Sequence, residues 1–279
     1  MNLKVKILDR NVIKKSVKFI AGASTSLSAV LLFVDIPPNC KILAGLAFLC
    51  TLVLIHIATW LHANSLREIS IEIEGSTVKI TTGDIFKQNG LKAIAFNEYF
   101  DTQVDDIIIS RTSLNGKFIE HELKESVENL DAYIASYLFD DRDVIETEVT
   151  RHKGKITRYR LGTTCVYGDF LLTAFARFDA KNQANLTMPE YLEFLINFWD
   201  KVNKVYAQKS VSTTIFGSGI TRIKGHKTIS DEDLLKIMLW TFRISEMRFK
   251  YPARLTIVIH ESKIDQINLL DIASVKNGV

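Results

Sequence analysis

Two long apolar runs lie one after the other near the start of the chain, Val17–Val34 and Ile42–Leu61. Only Asp35–Lys41, which contains Pro37 and Pro38, separates them. An α-helix rises about 1.5 Å per residue, so roughly 20 apolar residues span the hydrocarbon core of a bilayer. Backbone polar groups at a turn cannot stay unpaired in lipid, so the proline-containing joint belongs at a water interface. The pattern predicts a transmembrane hairpin of two helices, at about residues 17–34 and 42–61.

Basic residues precede the first run and set the predicted orientation. They are Lys4, Lys6, Arg10, Lys14, Lys15 and Lys18, against the single acid Asp9. Because positively charged segments stay on the cytoplasmic side, both termini and the C-terminal domain are expected in the cytoplasm. The net charge of +3 is dominated by this basic arm, which suits the headgroups of anionic lipids better than nucleic acid. A lipid bilayer is therefore a predicted partner, and nucleic acid is not.

Other interpretations of the apolar runs stay open. A cleaved signal peptide fits poorly, because no small-residue cleavage site is evident and a second apolar run follows at once. A helical hairpin buried inside a soluble protein is the alternative to a membrane hairpin.

The small residues of Gly22–Ala29 favour close helix contact, either between copies of the chain or with the second helix of the same chain. His56 is either a functional group or a neutral histidine bonded to a neighbouring helix.

Residues 67–279 are enough for one large core, whereas residues 1–66 make up the basic arm and the hairpin. Strand and helix signals alternate along residues 67–279, beginning with a β-hairpin over Ser70–Glu74 and Thr77–Thr82. Asp106–Ser110 is expected to be a short buried strand. The alternation predicts an α/β fold of three layers (α/β/α), with helices on both faces of a mixed, mainly parallel central sheet.

Three loops that follow predicted strands carry groups suited to a ligand, since ligands of such sheets bind beyond the carboxyl ends of the strands. In Thr82–Phe86, a lone acid after a glycine accepts hydrogen bonds from an exocyclic amine, or is simply a turn acid. Asn97–Asp101 supplies polar and aromatic groups, or is an ordinary surface loop. In Phe216–Thr221, small residues let backbone N–H groups approach phosphate oxygens, although Gly-x-Gly is often just a turn. The Gly-Lys-Ser/Thr ending of a Walker loop is missing.

These loops, in this order, resemble those of the macro domain, a reader of ADP-ribose, and the resemblance covers nearly all of residues 67–279. It rests on three segments, Gly83–Ile85, Ala93–Asn97 and Gly217–Ile220. Further segments resemble the macro-domain branch of the Thoeris anti-phage systems: Ser113–Phe118, Leu161–Thr164, Leu172–Phe175 and Phe178-Asp179. The two-helix anchor joined to such a domain is similar to the membrane effector of the type II systems.

The resemblance implies a role for each loop. The carboxylate of Asp84 accepts a hydrogen bond from the adenine amine, Asn97 lies near the distal ribose, and Phe178 lies near the adenine or a ribose. Backbone N–H groups of the third loop hold the diphosphate. The complete set of expected ligand-binding residues is Asp84, Ile85, Asn97, Phe100, Asp101, Gly116, Phe178, Gly217, Ser218, Gly219, Ile220 and Thr221. No catalytic residue, metal or cofactor is expected, and the three cysteines form no disulfide framework.

The resemblance also implies a signal and an output. In such systems a partner enzyme with a Toll/interleukin-receptor (TIR) domain consumes NAD and makes an ADP-ribose derivative, which is histidine-ADP-ribose in the type II branch. The chain is then expected to be a homo-oligomeric effector in the bacterial inner (cell) membrane. Binding of the signal triggers assembly and membrane disruption, which leads to cell death or growth arrest.

One departure from the family pattern concerns catalysis. Many macro domains that hydrolyse ADP-ribose linkages have a glycine run soon after the asparagine of the first phosphate loop. Here Asn97 is followed by Glu98, Tyr99, Phe100 and Asp101, and no glycine occurs before position 116. A ligand sensor is therefore favoured over an enzyme, with a membrane-tethered ADP-ribose hydrolase and a plain scaffold as alternatives. Glu98 and Asp101 are expected to meet a cationic or imidazole group on the ligand, or else to be solvated loop acids.

Overall fold

A computed structural model describes residues 3–179, 182–219, 222–224 and 229–274 of the chain. The described residues form two compact units. One unit, called here the helical unit, consists of the N-terminal residues up to Ile69 and the segment that begins at Ile264. The other, called the α/β unit, runs from Ser70 to Lys263. The domain boundary predicted after residue 66 stays a prediction.

The helices and strands have the following bounds. The helices are α1 (Arg10–Leu31), α2 (Lys41–Ser65), α3 (Leu114–Lys117), α4 (Val127–Ser136), α5 (Met188–Val205), α6 (Asp231–Ile244) and α7 (Leu269–Ser274). The strands are β1 (Glu68–Ile73), β2 (Ser76–Thr82), β3 (Leu91–Asn97), β4 (Val144–Glu146), β5 (Arg158–Tyr159), β6 (Thr164–Tyr167), β7 (Phe170–Phe178), β8 (Ala184–Thr187), β9 (Val211–Thr214), β10 (Arg222–Lys224) and β11 (Leu255–Ile259).

Within the helical unit, α2 is the one helix of the described residues that is long and apolar enough to cross a membrane. Together with the single 3-10 turn before it, the helix runs over Pro38–Ser65 and reaches a mean hydropathy of 2.4. By contrast, α1 carries three lysines as far as Lys18 and ends at Leu31. Its uncharged part, Phe19–Leu31, is about 20 Å long, which is less than the roughly 30 Å of a hydrocarbon core. The predicted hairpin of two spanning helices is therefore not confirmed.

Hydrogen bonds hold the chain before α1 against the end of α2. The Val5 N–H donates to the side-chain oxygen of Asn64 at 2.9 Å, and the Trp60 ring N–H donates to the Val5 carbonyl at 2.8 Å. Further along, the hydroxyl of Ser16 lies 3.0 Å from Nδ1 of His56. His56 thus makes a polar contact between the two helices, as one of its two predicted interpretations requires.

In the α/β unit, one sheet contains nine strands of the described residues, and its main path has the order β1-β2-β11-β9-β3-β7-β8-β10, with β6 beside β7. The five strands β2, β11, β9, β3 and β7 are parallel to their neighbours, whereas β6 and β8 run antiparallel to β7. The sheet is therefore mixed and mainly parallel, as predicted. The carboxyl ends of the five parallel strands meet at one edge of the sheet.

Helices cover both faces of this sheet, because successive side chains of a buried strand point to opposite sides. On one face, Ile94 and Leu172 pack in a core with Leu130 and Ile134 of α4. On the other face, the ring of Phe175 lies 4.7 Å from that of Phe194 in α5. The predicted three-layer α/β/α arrangement is confirmed.

One predicted strand is wrong. Asp106–Ser110 forms turns, apart from an isolated bridge at Ile109. The carboxylate of Asp105 accepts hydrogen bonds from the N–H groups of Ile107 and Ile108, at 2.9 and 2.7 Å. This local turn, which aspartate favours, removes two backbone donors from any sheet ladder.

Helix α5 offers a matched test of the core, because Phe198 is fully buried and Ile196 is 48% exposed. The Phe198 ring lies 5.0 Å from the rings of both Trp199 and Phe216. We expect Phe198→Ala to lower the free energy of unfolding by about 3–5 kcal/mol, through lost burial and a new cavity. The control Ile196→Ala should change it by less than about 0.5 kcal/mol. Equal effects in denaturant unfolding of the full chain would contradict the packing described here.

Candidate functional site

A cleft of about 230 Å³ lies at the carboxyl edge of the sheet, over the ends of β3, β7 and β9. Asn97 lines it at the end of β3, Ala176 and Phe178 at the end of β7, and residues 214–217 and 219 after β9. The segment 108–110 and the start of α3 complete the wall. The cleft therefore lies where ligands of parallel α/β sheets bind.

The wall of this cleft is apolar and neutral. Phenylalanine, isoleucine and alanine side chains alternate with the hydroxyl groups of Ser110, Thr112, Ser113 and Thr214. No lysine, arginine, histidine, cysteine or carboxylate is among the described residues that line it. An anionic group bound here would rely on backbone N–H groups and hydroxyls rather than on charged side chains.

The turn after β9 presents its backbone to the cleft. Gly217 has a φ of +85°, a conformation that glycine adopts without strain. Two hydrogen bonds stabilise the turn. The hydroxyl of Tyr191 donates to the Phe216 carbonyl at 2.9 Å, and the Ser218 N–H donates to the Ile215 carbonyl at 3.2 Å. Gly219 is exposed, and a Cβ added there would meet no atom of the described residues within 4 Å, its two chain neighbours aside. Small residues here leave room for a ligand to approach the main chain.

Asn97 lines the cleft, but its side chain is committed to its own loop. Its oxygen accepts hydrogen bonds from the N–H groups of Tyr99 and Asp101, at 2.9 and 3.2 Å. Its amide nitrogen donates to the Asp101 carboxylate at 2.9 Å. Asn97 therefore sets the shape of the loop that follows β3.

Asp101 is 1% exposed and is paired with an arginine from a distant segment. The two guanidinium nitrogens of Arg151 lie 3.2 and 2.9 Å from its two carboxylate oxygens. The Lys155 N–H donates to the same carboxylate at 2.6 Å. The Arg151 guanidinium also lies over the ring of Tyr99, 3.8 Å from its centre. These contacts contradict a role for Asp101 as a free acid that meets a cationic ligand group.

Glu98 is buried too, and it joins the loop after β3 to α5. Its carboxylate accepts hydrogen bonds from Arg177 at 3.0 Å and from the Phe178 N–H at 3.1 Å. Arg177 also donates to Glu190, whose carboxylate caps α5 together with Thr187. Burial raises the pKa of the Glu98 carboxyl group, against the lowering effect of the Phe178 N–H and the Arg177 charge. Glu98 is thus a buried, paired acid, and not the solvated or ligand-facing acid that the sequence predicts.

Phe100 and Gly116 have packing roles in the structure. The Phe100 side chain is fully buried, with ring centres 5.1 Å from Tyr159 and 5.9 Å from Phe139, so it lies in the core and not at the cleft. A side chain on Gly116 would come within 2.3 Å of the Ser110 carbonyl oxygen. This close approach accounts for the glycine without a ligand.

Asp84 and Ile85 follow β2 at the same edge of the sheet, outside the lining of the cleft. The exposed Asp84 carboxylate accepts a hydrogen bond from the Phe86 N–H at 3.0 Å, whereas the Ile85 side chain is buried. Because β11 lies between β2 and β9, and neighbouring strands are about 4.8 Å apart, Asp84 is about 10 Å across the sheet from β9. Only an extended ligand would contact both Asp84 and the glycine turn.

The structure therefore brings four of the predicted binding residues together in the cleft: Asn97, Phe178, Gly217 and Gly219. Ser218 lies within the same turn. Ile220 and Thr221 lie outside the described residues. The ligand-binding role of each residue stays a prediction.

Sequence analysis missed Asn115 as a candidate. This residue lines the cleft and is only 6% exposed, and its side-chain oxygen has no hydrogen-bond partner among the described residues. A buried oxygen without a partner costs free energy, which a ligand N–H or O–H group would recover. The only sequence signal is the helix cap, in which Ser113 accepts a hydrogen bond from the Gly116 N–H at 3.0 Å and so directs α3 towards the cleft.

Comparisons with known proteins agree with one another. The family model described as "Thoeris protein ThsA, Macro domain" matches residues 78–260. The chain is similar to the Thoeris protein ThsA of Bacillus amyloliquefaciens (strain Y2), with 36% identity over 98% of this chain and 93% of that protein.

Solved structures of a macrodomain from Oceanobacillus iheyensis also match. The structure with MES bound is 17% identical, covers 75% of this chain and 95% of that chain, and has a TM-score of 0.39. The structure with ADP is 16% identical, covers 75% of this chain and 94% of that chain, and also has a TM-score of 0.39.

The pair of Asp101 and Arg151 makes a testable contribution to stability. We expect Arg151→Met to lower the free energy of unfolding by about 3–5 kcal/mol, because it leaves a buried carboxylate without its counter-charge. Adding Asp101→Asn should recover part of the loss. Lys153→Met, at an exposed position of the same segment, is the control. Thermal unfolding of the full chain measures all four proteins, and an Arg151→Met variant as stable as the control would contradict the role of this pair.

Proposed function

The chain belongs to the Thoeris ThsA family, with a macro domain, and we propose that its α/β unit is a receptor for an ADP-ribose derivative. The observation that carries the proposal is the cleft itself. It joins an apolar wall to a glycine turn at the carboxyl edge of parallel strands. Apolar surfaces suit a base and the faces of a ribose, whereas a turn of small residues suits a diphosphate.

In this proposal the ligand extends along the edge of the sheet. The diphosphate binds the N–H groups of Gly217 and Gly219, since the Ser218 N–H donates to the Ile215 carbonyl and no cationic side chain is among the described lining residues. The adenine amine donates to the free lone pairs of the exposed Asp84 carboxylate. The distal ribose and the group it carries lie between Asn97, Phe178 and the start of α3.

We propose histidine-ADP-ribose, made by a partner TIR-domain enzyme, as the signal. Glu98 and Asp101 are both paired with arginines, so they do not provide the charge that would attract an imidazole. Neutral groups must recognise it instead. The oxygen of Asn115 is such a group, because it accepts a hydrogen bond from an N–H or O–H donor.

Binding without turnover is the activity we propose for this cleft. Its described lining has hydroxyl and amide groups but no carboxylate, histidine, cysteine or lysine to serve as a general acid or base. A membrane-tethered ADP-ribose hydrolase that works by side-chain acid–base catalysis would require such a group. Release of product from a modified substrate would identify the hydrolase and overturn this part of the proposal.

The helical unit is the proposed output. Helix α2 is uncharged after Lys41 and apolar, and only 6% of its most apolar 18-residue stretch is buried, which supports insertion in a bilayer. We propose that α1 and α2 form a two-helix anchor in the bacterial inner membrane, with both termini and the α/β unit in the cytoplasm. Ligand binding favours a homo-oligomer, in which the helices disrupt the membrane and cause cell death or growth arrest. Such coupling requires the ligand to bind the assembled state more tightly than the resting state.

Gly219 gives a direct test of where the ligand binds. In wild type, saturating histidine-ADP-ribose at about 100 times its Kd should stabilise the full chain by about 2.7 kcal/mol, with ADP-ribose and NAD as comparisons. Gly219→Val should melt like wild type without ligand, because its position is open, and should lose the shift because the side chain blocks the cleft. A variant that keeps the full thermal shift would place the ligand elsewhere.

Asn115 tests recognition separately from folding. We expect Asn115→Leu to leave the unliganded melting temperature unchanged or higher, since it removes a buried oxygen that has no partner. The same change should weaken binding of histidine-ADP-ribose by roughly 10-fold or more, as the loss of one buried hydrogen bond implies. Unchanged affinity in a titration would exclude Asn115 from the binding site.

The membrane output is tested at Val53, a 53% exposed residue near the middle of α2. Arginine at the centre of a spanning helix costs about 2.5–3.5 kcal/mol, so Val53→Arg should reduce the share of full chain that floats with lipid vesicles after an alkaline wash. It should also abolish ligand-dependent dye leakage. Ile196→Arg, at a similarly exposed position of α5, should do neither. Leakage that is independent of ligand in wild type would contradict the proposed switch.

A further inference from the structure

One face of α1 is basic and has no partner in the described part of the chain. Arg10, Lys14 and Lys18 follow one another at intervals of four residues, so they share one face of the helix. All three are exposed, and none has an ion pair with a described acid. Helix α1 itself contains no acid, and the nearest one in sequence, Asp9, caps the helix by accepting hydrogen bonds from the Asn11 and Val12 N–H groups.

The opposite face of α1 is the one that packs. Val12 and Ser16 are buried, and Ser16 contacts His56 of α2. At 100° per residue, these two positions lie about half a turn round the helix from the three basic ones. The basic residues therefore point away from α2, and the contact between the helices does not use them.

The three basic residues lie at the level of the end of α2. Ser16 is beside His56, and Trp60 contacts Val5, so the first turns of α1 run alongside the last turns of α2. Tryptophan prefers the interface between membrane and water. Arg10–Lys18 spans about 12 Å along the axis, which is more than the roughly 5–8 Å of the headgroup layer on one side of a bilayer, but long basic side chains can reach along the helix to that layer.

We propose that this basic face of α1 binds the headgroups of anionic lipids, and so holds the start of α1 at the cytoplasmic surface of the membrane. The inference rests on the membrane insertion of α2 given above. Three unpaired cations suit a layer of lipid phosphates, and each cation near such a surface contributes about five-fold in affinity. The uncharged remainder of α1, beyond Lys18, then enters the bilayer beside α2.

The test uses the full chain in vesicles of 70% phosphatidylcholine and 30% phosphatidylglycerol. After extraction in a neutral detergent, native mass spectrometry counts the lipids that stay bound. We expect wild type to retain phosphatidylglycerol at roughly five-fold or more above its share in the vesicle, and less in 500 mM salt than in 50 mM salt. Substituting Arg10, Lys14 and Lys18 by glutamine should return the bound lipid to the bulk composition.

The matched control removes the same charge from the α/β unit. Lys153, Lys250 and Arg254 are exposed, and their replacement by glutamine should leave the enrichment unchanged. The proposal is wrong if the variant in α1 retains as much phosphatidylglycerol as wild type, or if the control loses as much. It is also wrong if the variant in α1 changes the oligomeric mass and not the lipid count, since a second copy would then cover this face. Wild type that fails to float with vesicles would instead refute the membrane insertion of α2.

Discussion

The insertion of β11 between β2 and β9 is the constraint on which the α/β unit depends. Leu255 pairs with Val78 on one side and with Val211 on the other, in parallel on both sides. Without this strand, β1 and β2 would lose their hydrogen-bonded link to the other strands. Asp84 would then no longer share an edge with the glycine turn. Because five neighbouring strands are parallel, the position of a ligand site follows from the topology, before any side chain is considered.

Charged side chains form ion pairs inside the protein next to the cleft, whereas the described lining of the cleft has no charged side chain. The loop after β3 carries two buried carboxylates, and arginines from distant segments neutralise both. These pairs hold the loop in one shape before a ligand arrives, so less ordering is needed on binding. In the proposed receptor, recognition would rely on backbone N–H groups, apolar surface and neutral oxygens.

The strands could be predicted where the apolar pattern was regular, as in β1 and β2, and the order of the loops indicated the family. One predicted strand is wrong because of local hydrogen bonding. The Asp105 carboxylate turns the chain just where apolar residues suggested a strand. Predictions for single side chains failed where residues distant in sequence determine whether a side chain is buried or paired. Nothing near Asp101 in the sequence indicates Arg151, and nothing near Phe100 shows that Tyr159 and Phe139 enclose its ring. For Asn115 the only sequence signal is the Ser113 cap of α3, and that cap does not show that the Asn115 side-chain oxygen lacks a partner among the described residues.

The place of β11 late in the chain has a consequence for biosynthesis. A ribosome makes α1 and α2 before the α/β unit, and the sheet cannot close until β11 has emerged, because contacts between distant segments form slowly and late. The segment that begins at Ile264 follows β11 and belongs to the helical unit, where Asp271 accepts a hydrogen bond from Asn11 at the start of α1. The last residues of the helical unit are therefore made after those of the α/β unit. A nascent chain thus contains every strand of the sheet before the contact between Asn11 and Asp271 can form.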